Sequence, residues 1–135
     1  MQRLWDLTHA LNVRSKKMSR DLGVTGPQRI VLRIIGLAPG CSATDLAETL
    51  NMHPSTLTGI LARLAREALI ERSVSPEDRR RADLRLTAKG QRIDKERRGT
   101  AEAAIRRALR RADDSVVEAT REMLALMITE LDRDD

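Results

Sequence analysis

The sequence predicts a mainly α fold with one small β-hairpin, a winged helix-turn-helix carrying extra helices at both ends. Three observations predict it. Apolar residues recur at helical spacing through most of the 135 residues. Two helical segments are separated only by the connector Asn51-Met52-His53. Immediately after the second of them the apolar period falls from about 3.6 towards 2, the mark of a strand. A chain of this length forms one domain, or one domain and an extension, with a modest core.

Each element follows from its residues. Leu4, Leu7, Leu11, Met18 and Leu22 share a helical face that Gly23 ends. Thr25 is suited to cap a second helix, opened by Gly26-Pro27 and expected to bury Ile30, Val31, Ile34 and Ile35; Pro39-Gly40 breaks it. Ser42 to Asp45 has the form of a capping box and starts a short helix presenting Leu46, Ala47 and Leu50. Pro54 fits the first position of the next helix, where its missing N–H costs nothing. That helix places Leu57, Ile60, Leu61 and Leu64 on one face and Ser55, Thr56, Thr58, Gly59 and Arg63 on the other.

Ile70, Arg72 and Val74 then alternate, Pro76 makes a turn, and Leu84 and Leu86 return. From Thr87 the chain is helical again, with a small-residue stripe of Ala101, Ala104, Ile105, Ala108, Leu109 and Ala112. Ala112 to Ser115 interrupts it. Ser115 with Glu118 can cap a last helix showing Val117, Leu124, Met127, Ile128 and Leu131. The expected boundaries are a winged core at 24–90 and flanking helices at 1–22 and 88–135, all in one domain. The flanking helices carry more apolar surface than so small a core can cover, so a homodimer built from the first and last helices is expected.

Composition narrows the partners. Lys and Arg number 25 against 20 Asp and Glu, a net charge of +5 that favours a polyanion. Phe and Tyr are absent and Trp5 is the only aromatic residue, so duplex is favoured over single-strand recognition, which needs stacking platforms. Cys41 is the one cysteine, with His9 and His53 the only histidines. An intrachain disulfide, a thiolate cluster and a structural zinc site are therefore excluded, and no cofactor is expected. No apolar run approaches the roughly 20 residues that span a bilayer, and no signal segment opens the chain, so a cytoplasmic protein without a membrane partner is the default.

The stretch SPEDRRRADLRLTAKG holds Arg79, Arg80 and Arg81 side by side, an arrangement that repels itself and that stability would not choose. Against a solvated turn stands the affinity of arginine for phosphates and narrow minor grooves; Glu77 and Asp78 partly offset the repulsion. On the helix from Pro54, the residues Ser55, Thr56, Thr58 and Gly59 are poor choices for an ordinary exposed face unless something approaches closely. Their hydroxyls would position a duplex more than specify its sequence, and Arg63 would grip phosphate. His53 is balanced between donating to phosphate and filling the turn. Ser42 and Thr44, at the start of the third helix, are candidates for the DNA backbone.

Arg106, Arg107, Arg110 and Arg111 read as a solvated helix face, with Glu102 pairing to Arg106, in preference to a second DNA patch. The acidic end, Asp132, Asp134 and Asp135, is complementary to them across a dimer. Cys41 reads as a small half-buried residue, with a thiol sensor as the alternative, since a helix N-terminus lowers a thiol pKa. No paired carboxylates, nucleophile constellation or glycine-rich phosphate loop is present, so an enzyme is not expected.

The run AREALIERSVSPEDRRRADLRLTAKG, Ala65 to Gly90, resembles the wing of the multiple-antibiotic-resistance-regulator (MarR) family. The carriers are the pair Asp78 and Arg80, the strand end Leu86-Thr87, and Gly90. DLAETLNMHPSTLTGILARL, Asp45 to Leu64, is similar to that family's helix-turn-helix, and the flanking helices match its dimerisation region. The resemblance implies a two-fold dimer acting as a repressor on a pseudo-palindromic operator. The recognition helix would enter the major groove and Arg80 the adjacent minor groove, with Asp78 bracing the wing.

It also implies release by a small effector, often phenolic or carboxylate, which His9, Asn12 and Arg29 do not identify. The chain departs from the family in two places: His53 stands where Ser, Asp or Asn is usual, and Arg81 where a small residue is common, adding nonspecific phosphate attraction. Two alternatives remain, a redox-sensing regulator acting through Cys41 and a nonspecific architectural DNA-binding protein.

Overall fold

The computed structural model describes residues 1–74 and 82–133. The chain divides into two compact units, Met1–Ala101 and Glu102–Asp135.

In the first unit, α1 (Gln2–Leu22) ends at Gly23, whose φ of 74° suits glycine. α2 (Gly26–Leu37) starts in a capping box: the Gln28 N–H donates to Thr25 Oγ1 and the Thr25 N–H to Gln28 Oε1. The Gly26 N–H donates to Ser15 Oγ at 2.8 Å, tying α2 to α1. α3 (Ala43–Leu50) and α4 (Pro54–Arg66) follow, then β1 (Ile70–Val74), β2 (Ala82–Leu86) and α5 (Ala88–Lys95).

The core gathers around α2. Val31, Leu32 and Ile35 pack with Leu46 of α3, with Leu57, Leu61 and Leu64 of α4, and with Leu69, Ile70 and Leu84. Three helices thus each contribute the apolar face that their spacing demanded. The expected face of α2 is displaced at one position, because Ile30 is 43% exposed while its neighbour Arg29 is 1% exposed. The guanidinium is drawn inward by carbonyls: it donates to Ile93 O, to Asp94 O at 2.9 Å and to Glu96 O at 2.6 Å. A buried arginine is tolerable where its donors are met in this way.

β1 and β2 are antiparallel, with Ile70 opposite Leu86 and Val74 opposite Ala82. Ile70 and Leu84 reach the core, whereas Val74, at the far end, is exposed. A third segment joins β2 at its middle: the Gly40 N–H donates to Leu84 O at 2.9 Å and the Leu84 N–H to Cys41 O at 3.0 Å. The hairpin is thereby anchored to the loop that precedes α3.

The helix expected to run on from Thr87 breaks between Glu96 and Thr100. The Glu96 carboxylate accepts from the N–H groups of Arg97 at 2.8 Å and Arg98 at 2.7 Å, which holds its pKa below the ordinary range. Gly99 adopts a φ of 76°, and Thr100 Oγ1 donates to Arg97 O at 3.0 Å. The break was hidden because helical spacing resumes beyond it.

The second unit holds α6 from its second residue onward (Ala101–Leu109) and α7 (Asp114–Leu131). The N-cap of α7 is Asp113, not Ser115. Neither helix contains a buried residue, and Leu124, Ile128 and Leu131 are exposed. Arg106, Arg107, Arg110 and Arg111 are exposed as well, as a solvated helix face requires. Among the described residues no helix is long and apolar enough to cross a membrane, and no group of three or more His, Cys, Asp or Glu could hold a metal ion.

Candidate nucleic-acid interface

α3 ends at Asn51 in the left-handed region, φ 44° and ψ 50°, a conformation asparagine tolerates better than most residues. The N–H of Met52 returns to Ala47 O at 2.9 Å, closing the α3 terminus before the chain turns. His53 then caps α4: its Nδ1 accepts from the Ser55 N–H at 3.3 Å and lies 2.8 Å from Ser55 Oγ. A histidine thus does the work of the smaller residue usual there, and Pro54 occupies the first helical position.

Burial divides α4 as its sequence foretold. Leu57, Leu61 and Leu64 are buried, and Ser55, Thr56, Thr58, Gly59 and Arg63 are exposed. The exposed residues are not equally free. Thr58 Oγ1 donates to Pro54 O at 2.8 Å, so its hydroxyl hydrogen is spent within the helix. Ser55 is engaged with His53. Thr56 and Arg63 make no side-chain hydrogen bond among the described residues. A β-carbon built at Gly59 would meet nothing within 4 Å, so packing within the chain gives no reason for a glycine there.

At the start of α3, Ser42 Oγ accepts from the Asp45 N–H at 3.2 Å and Asp45 Oδ2 from the Ser42 N–H at 2.8 Å. Ser42 is buried and its oxygen is committed to this cap, which leaves Thr44 as the exposed hydroxyl of that turn. Arg79, Arg80, Arg81 and Asp78 lie outside the described residues. The strands lead to that segment, since β1 ends at Val74 and β2 begins at Ala82.

Cys41 is half-buried, and its thiol pKa is raised, first by burial and then by the carboxylates of Asp45 and Asp83. A raised pKa lowers the thiolate fraction on which peroxide chemistry depends. The helix N-terminus beside the thiol carries its own carboxylate, Asp45, as the capping partner of Ser42.

Thr87, Lys89 and Gly90 were not singled out as site residues by the sequence. Thr87 caps α5 by accepting from the Gly90 N–H at 3.1 Å, and it also reaches back to the end of α4, where Thr87 Oγ1 donates to Ala68 O at 2.7 Å. Lys89 Nζ donates to Glu67 O at 2.8 Å. The Thr-x-x-Gly spacing was the available signal, but it reveals only the cap and not the contact across the fold.

Two helices joined by a tight turn, the second baring short polar side chains and followed directly by an anchored hairpin, define a winged helix-turn-helix protein. Residues 22–81 match the model of the MarR family. The transcriptional regulator HosA of Escherichia coli O111:H- is 37% identical over 70 residues, which cover 52% of this chain and 52% of HosA. An HTH-type transcriptional repressor of Mycobacterium bovis is 30% identical over 90 residues, 67% of this chain and 65% of that protein. The crystal structure of S. aureus MepR with DNA shares the fold, with a TM-score of 0.79 at 20% identity over 96% of each chain. Over residues 22–81 the chain is thus similar to the MarR family, and the relatives named here are transcriptional regulators. It spans about half the length of HosA where the two match.

Proposed function

We propose that the protein is a sequence-specific double-stranded DNA-binding regulator, a repressor that binds a pseudo-palindromic operator as a homodimer and is released by a small effector. The observation that carries this reading is the exposed face of α4. Thr56, Gly59 and Arg63 stand open on a helix whose opposite face is locked into the core, and a glycine without internal purpose lets another surface approach the backbone. Thr56 and Ser55 would meet phosphate or base edges near the helix N-terminus, Arg63 phosphate further along, and Arg80 the minor groove, with Arg79 and Arg81 on phosphates. Thr44 joins them at the backbone. The structural likeness to MepR, whose crystal structure is of a DNA complex, supports the same use of this fold.

Dimerisation is supported by the apolar residues left exposed on α1 and α7, among them Leu4, Trp5, Leu7 and Leu11 and then Leu124 and Ile128. Two copies would set two recognition helices about one DNA turn apart. An effector would act by selecting a dimer whose helices are wrongly spaced. Such a protein works where the chromosome is, in the cytoplasm.

The test is selection of duplexes from fragments of the source genome by the purified protein, followed by titration of the selected and a scrambled duplex at one salt concentration. A regulator shows a preference of about 10³ or more. Equal affinity for both duplexes would instead establish an architectural protein. The redox reading through Cys41 is disfavoured by the raised thiol pKa.

A further inference from the structure

We infer that Thr87 and Lys89 are positioning residues for DNA recognition: the first turn of α5 holds the C-terminal end of the recognition helix and so sets the angle at which α4 meets a duplex. The inference rests on the DNA-binding reading above and adds to it residues that would touch no DNA.

The last carbonyls of any helix lack partners within the helix. Three successive carbonyls just beyond α4 are taken by the turn that opens α5. Glu67 O accepts from Lys89 Nζ at 2.8 Å, Ala68 O from Thr87 Oγ1 at 2.7 Å, and Leu69 O from the Thr87 N–H at 3.1 Å. Ala68 sits at a φ of 54°, a left-handed conformation that a residue with a side chain adopts only when its surroundings hold it. The contact is close because Gly90 has no side chain.

The other end of α5 is held as firmly. Arg29 donates to the carbonyls of Ile93, Asp94 and Glu96, and Arg33 Nη1 lies 3.0 Å from Asp94 Oδ2. α5 is therefore a strut of eight residues, fixed to α2 at one end and to the end of α4 at the other. α4 has 13 residues and is about 20 Å long at the usual rise per residue. A tilt at its C-terminal end therefore displaces Ser55 and Thr56 at the opposite end. Lys89 looks like a phosphate contact by charge and exposure, yet its ammonium is already directed at a carbonyl.

The experiment compares wild type, Thr87→Val, Thr87→Ser and Lys89→Gln on the selected duplex and its scrambled counterpart over a series of salt concentrations. All measurements are made well below each melting temperature. Thr87→Val keeps the shape and removes both hydroxyl bonds. It should lose about tenfold in affinity for the selected duplex, the scale of one or two hydrogen bonds, with scrambled-duplex affinity and salt slope unchanged. Thr87→Ser, which restores the hydroxyl, should recover the preference; a purely structural role would lower the melting temperature and leave the preference intact.

Should Thr87→Val fail to fold, Lys89→Gln carries the comparison, since its bond is a single exposed one. A preference unchanged in the folded variants overturns the inference. So does Lys89→Gln weakening both duplexes alike with a salt slope lower by about 0.9, which would make Lys89 a phosphate contact. A wild-type protein without preference sinks the DNA-binding reading itself and this inference with it, and is told apart because it appears before any variant is made.

Discussion

Gly90 of α5 lies against the carbonyl of Leu69, so close that a β-carbon on Gly90 would stand 2.0 Å from that oxygen. The atom it would strike is backbone, held in place by the Thr87 N–H, and it has no flexible end that can swing aside. Gly90→Ala is therefore expected to destabilise the fold by about 1–3 kcal/mol, the usual cost of overpacking. Urea unfolding followed by circular dichroism measures it, and an unchanged midpoint would show that the α4–α5 junction is looser than its geometry.

Gly59 should behave in the opposite way. A β-carbon there meets open space on an exposed helix, so Gly59→Ala is expected to raise stability by up to about 1 kcal/mol through helix propensity. The same change should weaken binding to the selected duplex, because it places a methyl group where DNA is proposed to come closest. A variant that is more stable and binds equally well would remove Gly59 from the interface.

The three wing arginines are separable by substitution. Arg80→Ala should weaken operator binding more than Arg81→Ala, since Arg80 stands two residues after Asp78 in the family pattern. Loss of a phosphate contact at Arg79 or Arg81 should flatten the salt dependence by about 0.9 and affect all sequences alike. If Arg81→Ala proves the more damaging, the register assigned to the wing is wrong.

Cys41 should be a slow thiol. With its pKa raised by burial and by Asp45 and Asp83, alkylation by iodoacetamide near neutral pH should run slower in the native protein than in urea, and the gap should narrow as pH rises. The linkage has a definite sign. A folded-state pKa above the unfolded one contributes stability that is full below the unfolded thiol pKa and is lost as pH rises through the folded value. Peroxide should leave DNA binding the same in wild type and Cys41→Ser; protection specific to the variant would restore the thiol-sensor reading.

Trp5, the only aromatic residue, is 67% exposed in the single chain beside the apolar residues of α1. A dimer built on this face would bury the indole, so its emission should shift to the red on dilution, with the mass falling from dimer to monomer in sedimentation. Leu11→Glu should favour the monomer. Emission that is red-shifted and independent of concentration would count against α1 as part of the interface.

Much of this molecule was legible from local signals. The capping boxes at Thr25 and Ser42, Pro54 at the head of α4, and the alternation of Ile70 with Leu84 and Leu86 each depend on residues close in the chain, and their elements formed where expected. The small polar face of α4 was legible for the same reason, because a helix fixes which side chains share a side. What misled was anything settled across the fold. Ile30 promised burial by its spacing, and Arg29 took the place because carbonyls more than 60 residues away needed donors.

Sequence alone determined the helices up to α4 and the hairpin strands, which helix bares a small polar face, and that the protein carries a surplus of positive charge. Tertiary structure alone decided that α5 is a strut between α2 and the end of α4, that Gly90 must lack a side chain, and that burial raises the pKa of the Cys41 thiol. The reason is physical: helix caps and apolar periods act over a few residues and leave their pattern in the sequence. Carbonyl partners, close backbone approach and desolvation depend on residues that only the folded chain brings together.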